Sequence, residues 1–155
     1  MRESERLADQ LRRAVEGEAW HGPSVIEILE GVGAKAAAAR PLKDAHSIWE
    51  ILLHVTAWTD AVRGRLNGKA LQLPPEEDWP VIEDKSEAAW KRSQQEFRAA
   101  QDRLLQKIEA LSEAELSATT PGKPYNNAFM LDGIVQHHLY HAGQMAVLKK
   151  ATANS

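Results

Sequence analysis

Three histidines fall within five residues, His137-His138-Leu139-Tyr140-His141, inside a stretch that otherwise follows an apolar helical pattern. Leu131, Ile134, Val135, Ala142 and Met145 define the apolar face of that helix. His138 projects near the centre of the face, while His137, His141 and Gln144 share one flank. Imidazoles are costly in an apolar core unless each finds a partner, so the rest of the chain must fold to supply partners. A helix turns about 100° per residue, which stacks His137 and His141 one turn apart. Two imidazoles at that spacing are a common way for one helix to offer two nitrogens to one metal ion. A third nitrogen must come from another helix. His54, in Leu52-Leu53-His54-Val55-Thr56-Ala57-Trp58, is the best placed, on the flank of an apolar stripe beside Ile51 and Trp58. His138 and His141, three residues apart, form a rival pair, and spacing alone does not choose between His137 and His138. The bland readings are a solvated helix edge for the triplet and a hydrogen-bonded core residue for His54.

The remaining sequence reads as helices punctuated by glycine and proline. A first helix is expected from Ser4 to Glu16, with Leu7, Leu11, Ala14 and Val15 on one side. Gly22-Pro23 interrupts it, and Ser24-Val25-Ile26-Glu27 opens a short second piece as a capping box. Gly31 and Gly33 end that piece, and the run Ala34 to Ala39 adds a turn before Pro41. Ser47-Ile48-Trp49-Glu50 is a second capping box and starts a long helix to Leu66, stopped by Asn67-Gly68. From Gly68 to Asp84 the chain holds Pro74, Pro75 and Pro80 and has no clear period. So long a connection fits a crossover in a bundle. A third long helix spans Ser86 to Ala110, with Trp90, Phe97, Leu104 and Leu111 at seven-residue intervals. After a short Ser112-x-x-Glu115 box and a loop from Thr119 to Asn127, the last helix covers Ala128 to Ala151. No strand alternation or internal repeat is present. The expected class is all-α, a four-helix bundle in a single domain over residues 1–155.

Composition narrows the function. A net charge of -3 argues against a nucleic-acid binder, which normally shows a basic face. No window approaches the apolar run of about 18 residues that a membrane span needs. The opening Met1-Arg2-Glu3-Ser4-Glu5-Arg6 lacks the basic-then-apolar order of an export signal, so a cytoplasmic location is expected. Cysteine is absent, which removes disulfides, thiolate ligands and a cysteine nucleophile together and leaves histidine as the favoured ligand type. The residue after His137 is His138 rather than glutamate, so the zincin protease motif is not formed.

His137-x-x-x-His141-x-Gly143-Gln144, together with Leu52-x-His54-x-x-x-Trp58, resembles the DinB/YfiT-like superfamily, four-helix bundles often described as metal-dependent hydrolases. The similarity covers essentially the whole chain, including the proline-rich connection. It implies an up-down-down-up bundle with a long crossover between the second and third main helices. It implies a divalent ion, zinc or nickel above all, held by His54, His137 and His141, with His138 inside the motif but not a ligand. A homodimer is also implied. Relatives of this type include bacillithiol transferases and the mycothiol-dependent maleylpyruvate isomerase, which use the metal to activate a thiol cofactor.

Three imidazoles leave a divalent ion with an open position, the mark of a catalytic centre. The expected function is therefore a metal-dependent hydrolase or thiol-dependent S-transferase acting on a small molecule, any thiol arriving as a low-molecular-weight cosubstrate. The rivals are a non-catalytic metal-binding stress protein and a metal-free dimeric interaction bundle. Around the centre, Gln144 and Tyr140 could orient the histidines, and Tyr125, Asn126 and Asn127 could reach the open side, though turn and helix-packing contacts explain all of them equally well. Glu50 belongs to its capping box, His46 to a loop and His21 to the surface.

Overall fold

A computed structural model describes residues 1–153, and within them the chain is all-helical apart from one isolated bridge between Thr119 and Asn126. The elements are α1 (Glu3–Glu16), α2 (Val25–Leu29), α3 (Ala34–Ala38), α4 (Ile48–Leu66), α5 (Pro75–Asp78), α6 (Glu87–Glu109), α7 (Glu113–Ser117) and α8 (Asn127–Ala153). The long helices α1, α4, α6 and α8 form the bundle. α4 packs on α6 and α8, and so does α1, which leaves α1 opposite α4 and α6 opposite α8 across the core. No described helix is long and apolar enough to cross a membrane.

The helix starts are set by local chemistry that the sequence spells out. At Ser47 the hydroxyl accepts from the Glu50 amide at 3.1 Å, and the Glu50 carboxylate accepts from the Ser47 amide at 2.7 Å. The same reciprocal pair forms at Ser24 with Glu27 and at Ser112 with Glu115. Each satisfies two amide groups that the first helical turn leaves without partners. Gly68 ends α4 with φ +88, a left-handed conformation that glycine adopts without steric cost. A longer-range cap was not expected: the Glu87 carboxylate at the start of α6 accepts from the Ala34 amide at 2.8 Å and so holds α3 against it.

The seven-residue series on α6 is buried throughout, Trp90 at 2%, Phe97 at 1%, Leu104 at 0%, and Leu111 just beyond the helix at 3% exposure. It meets Leu7 and Leu11 of α1, Ile48 and Leu52 of α4, and Leu131 and Met145 of α8 in one apolar cluster. Each such side chain contributes on the order of 1.5–3 kcal/mol by leaving water, so the core holds without help from the histidines. The buried indoles are satisfied: Trp90 donates to the Val32 carbonyl at 2.7 Å and Trp49 to the Ser93 hydroxyl at 3.0 Å.

The connection after α4 has no clear period in the sequence yet carries local structure. It contains α5, one turn started by Pro75 at its first position, where the missing amide hydrogen costs nothing. α5 lies against α4. It brings two residues to the histidines that periodicity gave no reason to place there.

Candidate metal centre

His54 on α4 and His137 and His141 on α8 come together where these two helices face each other. One ring nitrogen from each lies within 4.8 Å of the others. His54 and His141 are buried and His137 is half-buried. The Nε2 atoms of His54 and His137 are 3.0 Å apart.

The outward nitrogens identify which atoms face inward. Nδ1 of His54 lies 2.8 Å from the Asp78 backbone carbonyl and 2.9 Å from the Asp78 carboxylate. Both oxygens only accept, so Nδ1 carries the proton and Nε2 presents a lone pair. His141 follows the same logic: Nδ1 donates to the Gln144 side-chain oxygen at 2.6 Å, leaving Nε2 free. His137 completes the set without such a partner, since its Nδ1 is buried with no hydrogen bond. Its Nε2 therefore meets a lone pair of His54 head-on unless it holds the proton itself. A cation between the rings removes that conflict, and carbonyl or carboxylate support of the outer nitrogens is the usual accompaniment of metal-ligating histidine. The donor set fits a divalent ion that favours imidazole.

Electrostatics keep the rings in the form a metal needs. Burial lowers the pKa of His137 to about 3, helped by the neighbouring rings of His141, His138 and His54. Burial also lowers His141, against the opposing hydrogen bond it donates to Gln144. Both rings are neutral at neutral pH.

His138 sits apart. It is fully buried, donates Nδ1–H to the Ile134 carbonyl at 2.7 Å and accepts at Nε2 from the Gln101 amide at 2.8 Å. Both nitrogens are spent, which separates it from the other three where spacing alone did not.

Trp79, the residue after α5, stacks flat on His54 at 3.9 Å and on His46 at 3.6 Å on its other face. Trp58, one turn beyond His54, donates its indole N–H to the Asp78 carboxylate at 2.7 Å. Asp78 thus joins α5 to α4 through both Trp58 and His54. Neither Asp78 nor Trp79 was singled out from sequence, because Pro74-Pro75-Glu76-Glu77-Asp78-Trp79 has no period that fixes a face. Gln144 takes the supporting place expected of it. Tyr140 is largely exposed, its ring 5.1 Å from that of His141, and makes no hydrogen bond to the histidines. Asn126 and Asn127 do not reach the cluster. Asn126 caps α8 by accepting from the Phe129 amide, and Asn127 donates to the Glu115 carbonyl and accepts from Thr120. Glu50 stays in its capping box and pairs with Arg40, and His46 and His21 are exposed loop residues.

Two cavities reach the cluster. The larger, about 820 Å³, is lined by His54 and His141 with His46, Trp79, Tyr140 and Gln144. The smaller, about 370 Å³, is lined by His54 and His137 with Trp58, Arg65, Asp78 and Tyr125. The three imidazoles stand between them.

The family model of the DinB superfamily matches residues 20–145, which includes all three histidines, and the chain belongs to that superfamily. No curated protein and no solved structure matches it.

Proposed function

We propose that this DinB-superfamily chain is a metal-dependent enzyme of small-molecule metabolism, a hydrolase or a thiol-dependent S-transferase, with His54, His137 and His141 as its metal ligands. The observation that carries the reading is the convergence of three ring nitrogens, two of the rings backed by Asp78 and Gln144, between two cavities. Structural centres are closed by protein ligands, whereas three ligands and adjoining open space suit a centre that admits a reactant. A divalent ion held there, zinc or nickel by the preference of imidazole, supplies Lewis acidity that makes water or a thiol nucleophilic at neutral pH.

The chain's own residues do the rest. Asp78 and Gln144 fix the rings of His54 and His141 in one tautomer and rotation. Trp79 covers one face of His54 and keeps bulk water from it. The apolar walls of the cavities hold a small organic molecule beside the cluster. With no cysteine in the sequence, a reacting thiol comes as a cosubstrate. The reading includes a cytoplasmic homodimer, supported by Phe129, Tyr140 and Val147, exposed on α8 at spacings that set them in one stripe.

The test is the metal content of protein purified without a histidine tag, set against His141→Ala. One bound divalent ion per chain is expected for the wild type and none for the variant, with helical content unchanged because the core lies elsewhere. Metal-loaded protein is then screened for ester hydrolysis and thiol transfer. Metal binding with no turnover in either screen makes it a non-catalytic metal-binding protein. Wild type free of metal, with no affinity for added zinc or nickel, refutes the proposal.

A further inference from the structure

Arg65 is 3% exposed and yet faces no carboxylate within 4.0 Å among the described residues. Buried guanidinium groups are almost always paired. Here Nε and Nη2 both donate to a single acceptor, the Leu71 carbonyl, at 3.1 and 2.9 Å. Three of the five N–H bonds have no partner in the protein. Tethering one carbonyl needs no positive charge. The guanidinium also lies over the Trp58 ring, 5.4 Å from its centroid, and it lines the smaller cavity.

That cavity has a direction. His54, Trp58, Val62 and Arg65 lie along one face of α4, and an arginine on a helix leans toward the N-terminal turns. Arg65 therefore reaches back along the groove toward the histidines. The Trp58 ring lies between, 6.0 Å from that of His137. At the histidine end stands Asp78, the one acidic residue of the lining, its Oδ1 engaged by Trp58 and His54. A negative group is repelled at that end and attracted at the other. Between the two ends the walls are apolar, Val62, Phe129, Met130 and Ile134. A volume of about 370 Å³ is within the range of small-molecule sites.

We infer that the smaller cavity seats a small monocarboxylate with an apolar or aromatic body, its carboxylate on Arg65 and its far end presented to His137. A carboxylate matches the planar fork of the free N–H groups. A single guanidinium with Asp78 in the same cavity suits one negative charge better than two. As a statement about substrate it rests on the function proposed above, while the binding itself needs no metal.

The experiment compares 3-phenylpropionate with 3-phenylpropionamide, which differ in charge and little in shape. Binding to chelator-treated protein is followed by the indole N–H resonance of Trp58 and by calorimetry. The acid is expected to bind at least tenfold more tightly than the amide, with the Trp58 signal moving. Arg65→Met should remove the preference. Because that variant also frees the Leu71 carbonyl, Gly133→Leu is the companion. Gly133 lines the groove, and a Cβ built there meets nothing within 4 Å. Leucine fills the groove without disturbing Arg65 and improves the helix propensity of α8. It should abolish binding of the acid and leave zinc affinity unchanged. Equal affinity for acid and amide overturns the inference, as does undiminished binding in Gly133→Leu. Zinc titration of the same wild-type protein keeps the two readings apart, since failure to bind zinc with the acid preference intact refutes the metal function alone.

Discussion

His137→Leu should make the metal-free protein more stable while destroying the metal site. In the absence of a cation, His137 buries an Nδ1 that has no hydrogen bond, a defect worth about 1–3 kcal/mol. Its Nε2 makes one contact, with His54 at 3.0 Å, whose loss costs about 1 kcal/mol net. His54 borders both cavities, so water can replace that contact. Leucine adds about a half-buried aliphatic side chain, on the order of 1 kcal/mol, and a few tenths from helix propensity. The balance is a gain of about 1–3 kcal/mol. Urea unfolding followed by circular dichroism at pH 7.5 with chelator present reads it as a higher midpoint with unchanged slope. Zinc should reverse the order. At a free concentration of a thousand times Kd the wild type gains about 4.1 kcal/mol by mass action, and the variant gains none. A chelated variant less stable than the chelated wild type would show that the unpartnered ring is no burden. An equal gain from zinc in both would show that His137 is not a ligand.

Asp78→Ala removes the carboxylate from His54 and Trp58 but keeps the backbone carbonyl on His54. Zinc affinity measured against a chelating dye should fall about tenfold, the low end for loss of such support, and an unchanged affinity would disprove the role. Acid should destabilise the chelated protein from about pH 6.5 downward, because the folded state keeps buried histidines neutral, burial lowering the pKa of His138 to about 4 and of His137 to about 3. The unfolded chain binds these protons near the ordinary value, so their contribution is present above pH 6.5 and lost as the pH falls, about 3 kcal/mol of it from His138 by pH 4. A flat unfolding free energy between pH 6.5 and 5 contradicts this, since carboxylates such as Glu27, held low by the Ser24 amide, titrate below that window. Gln101→Leu strips the donor from buried Nε2 of His138 and should cost about 1–3 kcal/mol. In combination with His138→Leu the cost should be less than additive by denaturation, and strict additivity would deny the coupling.

The parts of this molecule that were legible in the sequence are those governed by short-range rules. Ser24, Ser47 and Ser112 each sit three residues before a glutamate, and each forms the reciprocal cap. The seven-residue series on α6 is buried, and the histidines four apart on α8 meet His54. Asp78 and Trp79 escaped because their positions depend on how a one-turn helix docks on α4, a tertiary event with no period to betray it. Arg65 escaped for a related reason. An arginine in the last turn of a helix ordinarily faces water and complements the helix dipole, and only the path of the chain through Leu71 buries it. Asn126 and Asn127 follow the local of their two readings. Capping and loop bonding satisfied them locally before any longer reach was needed.

His138 explains how His137 and His141 on α8 can be aimed so narrowly at His54. A rotation of α8 by one residue step, about 100°, would carry His137 and His141 away from α4 altogether. Apolar packing alone resists such a rotation weakly, because α8 is apolar over much of its circumference: Leu131, Ile134, Ala142, Met145 and Leu148 are buried, while Phe129, Tyr140 and Val147 are exposed. The buried polar contacts are more exacting. Nε2 of His138 must meet the Gln101 amide of α6, and that amide also donates to the Thr59 hydroxyl of α4 at 2.9 Å. Thr59 in turn donates to the carbonyl of Val55, the residue next to His54. Any other phase of α8 leaves a buried imidazole and a buried amide without each other, at a cost of about 1–3 kcal/mol for each group. His138, apart from the cluster, thereby holds three helices in the one arrangement that brings His137 and His141 to His54.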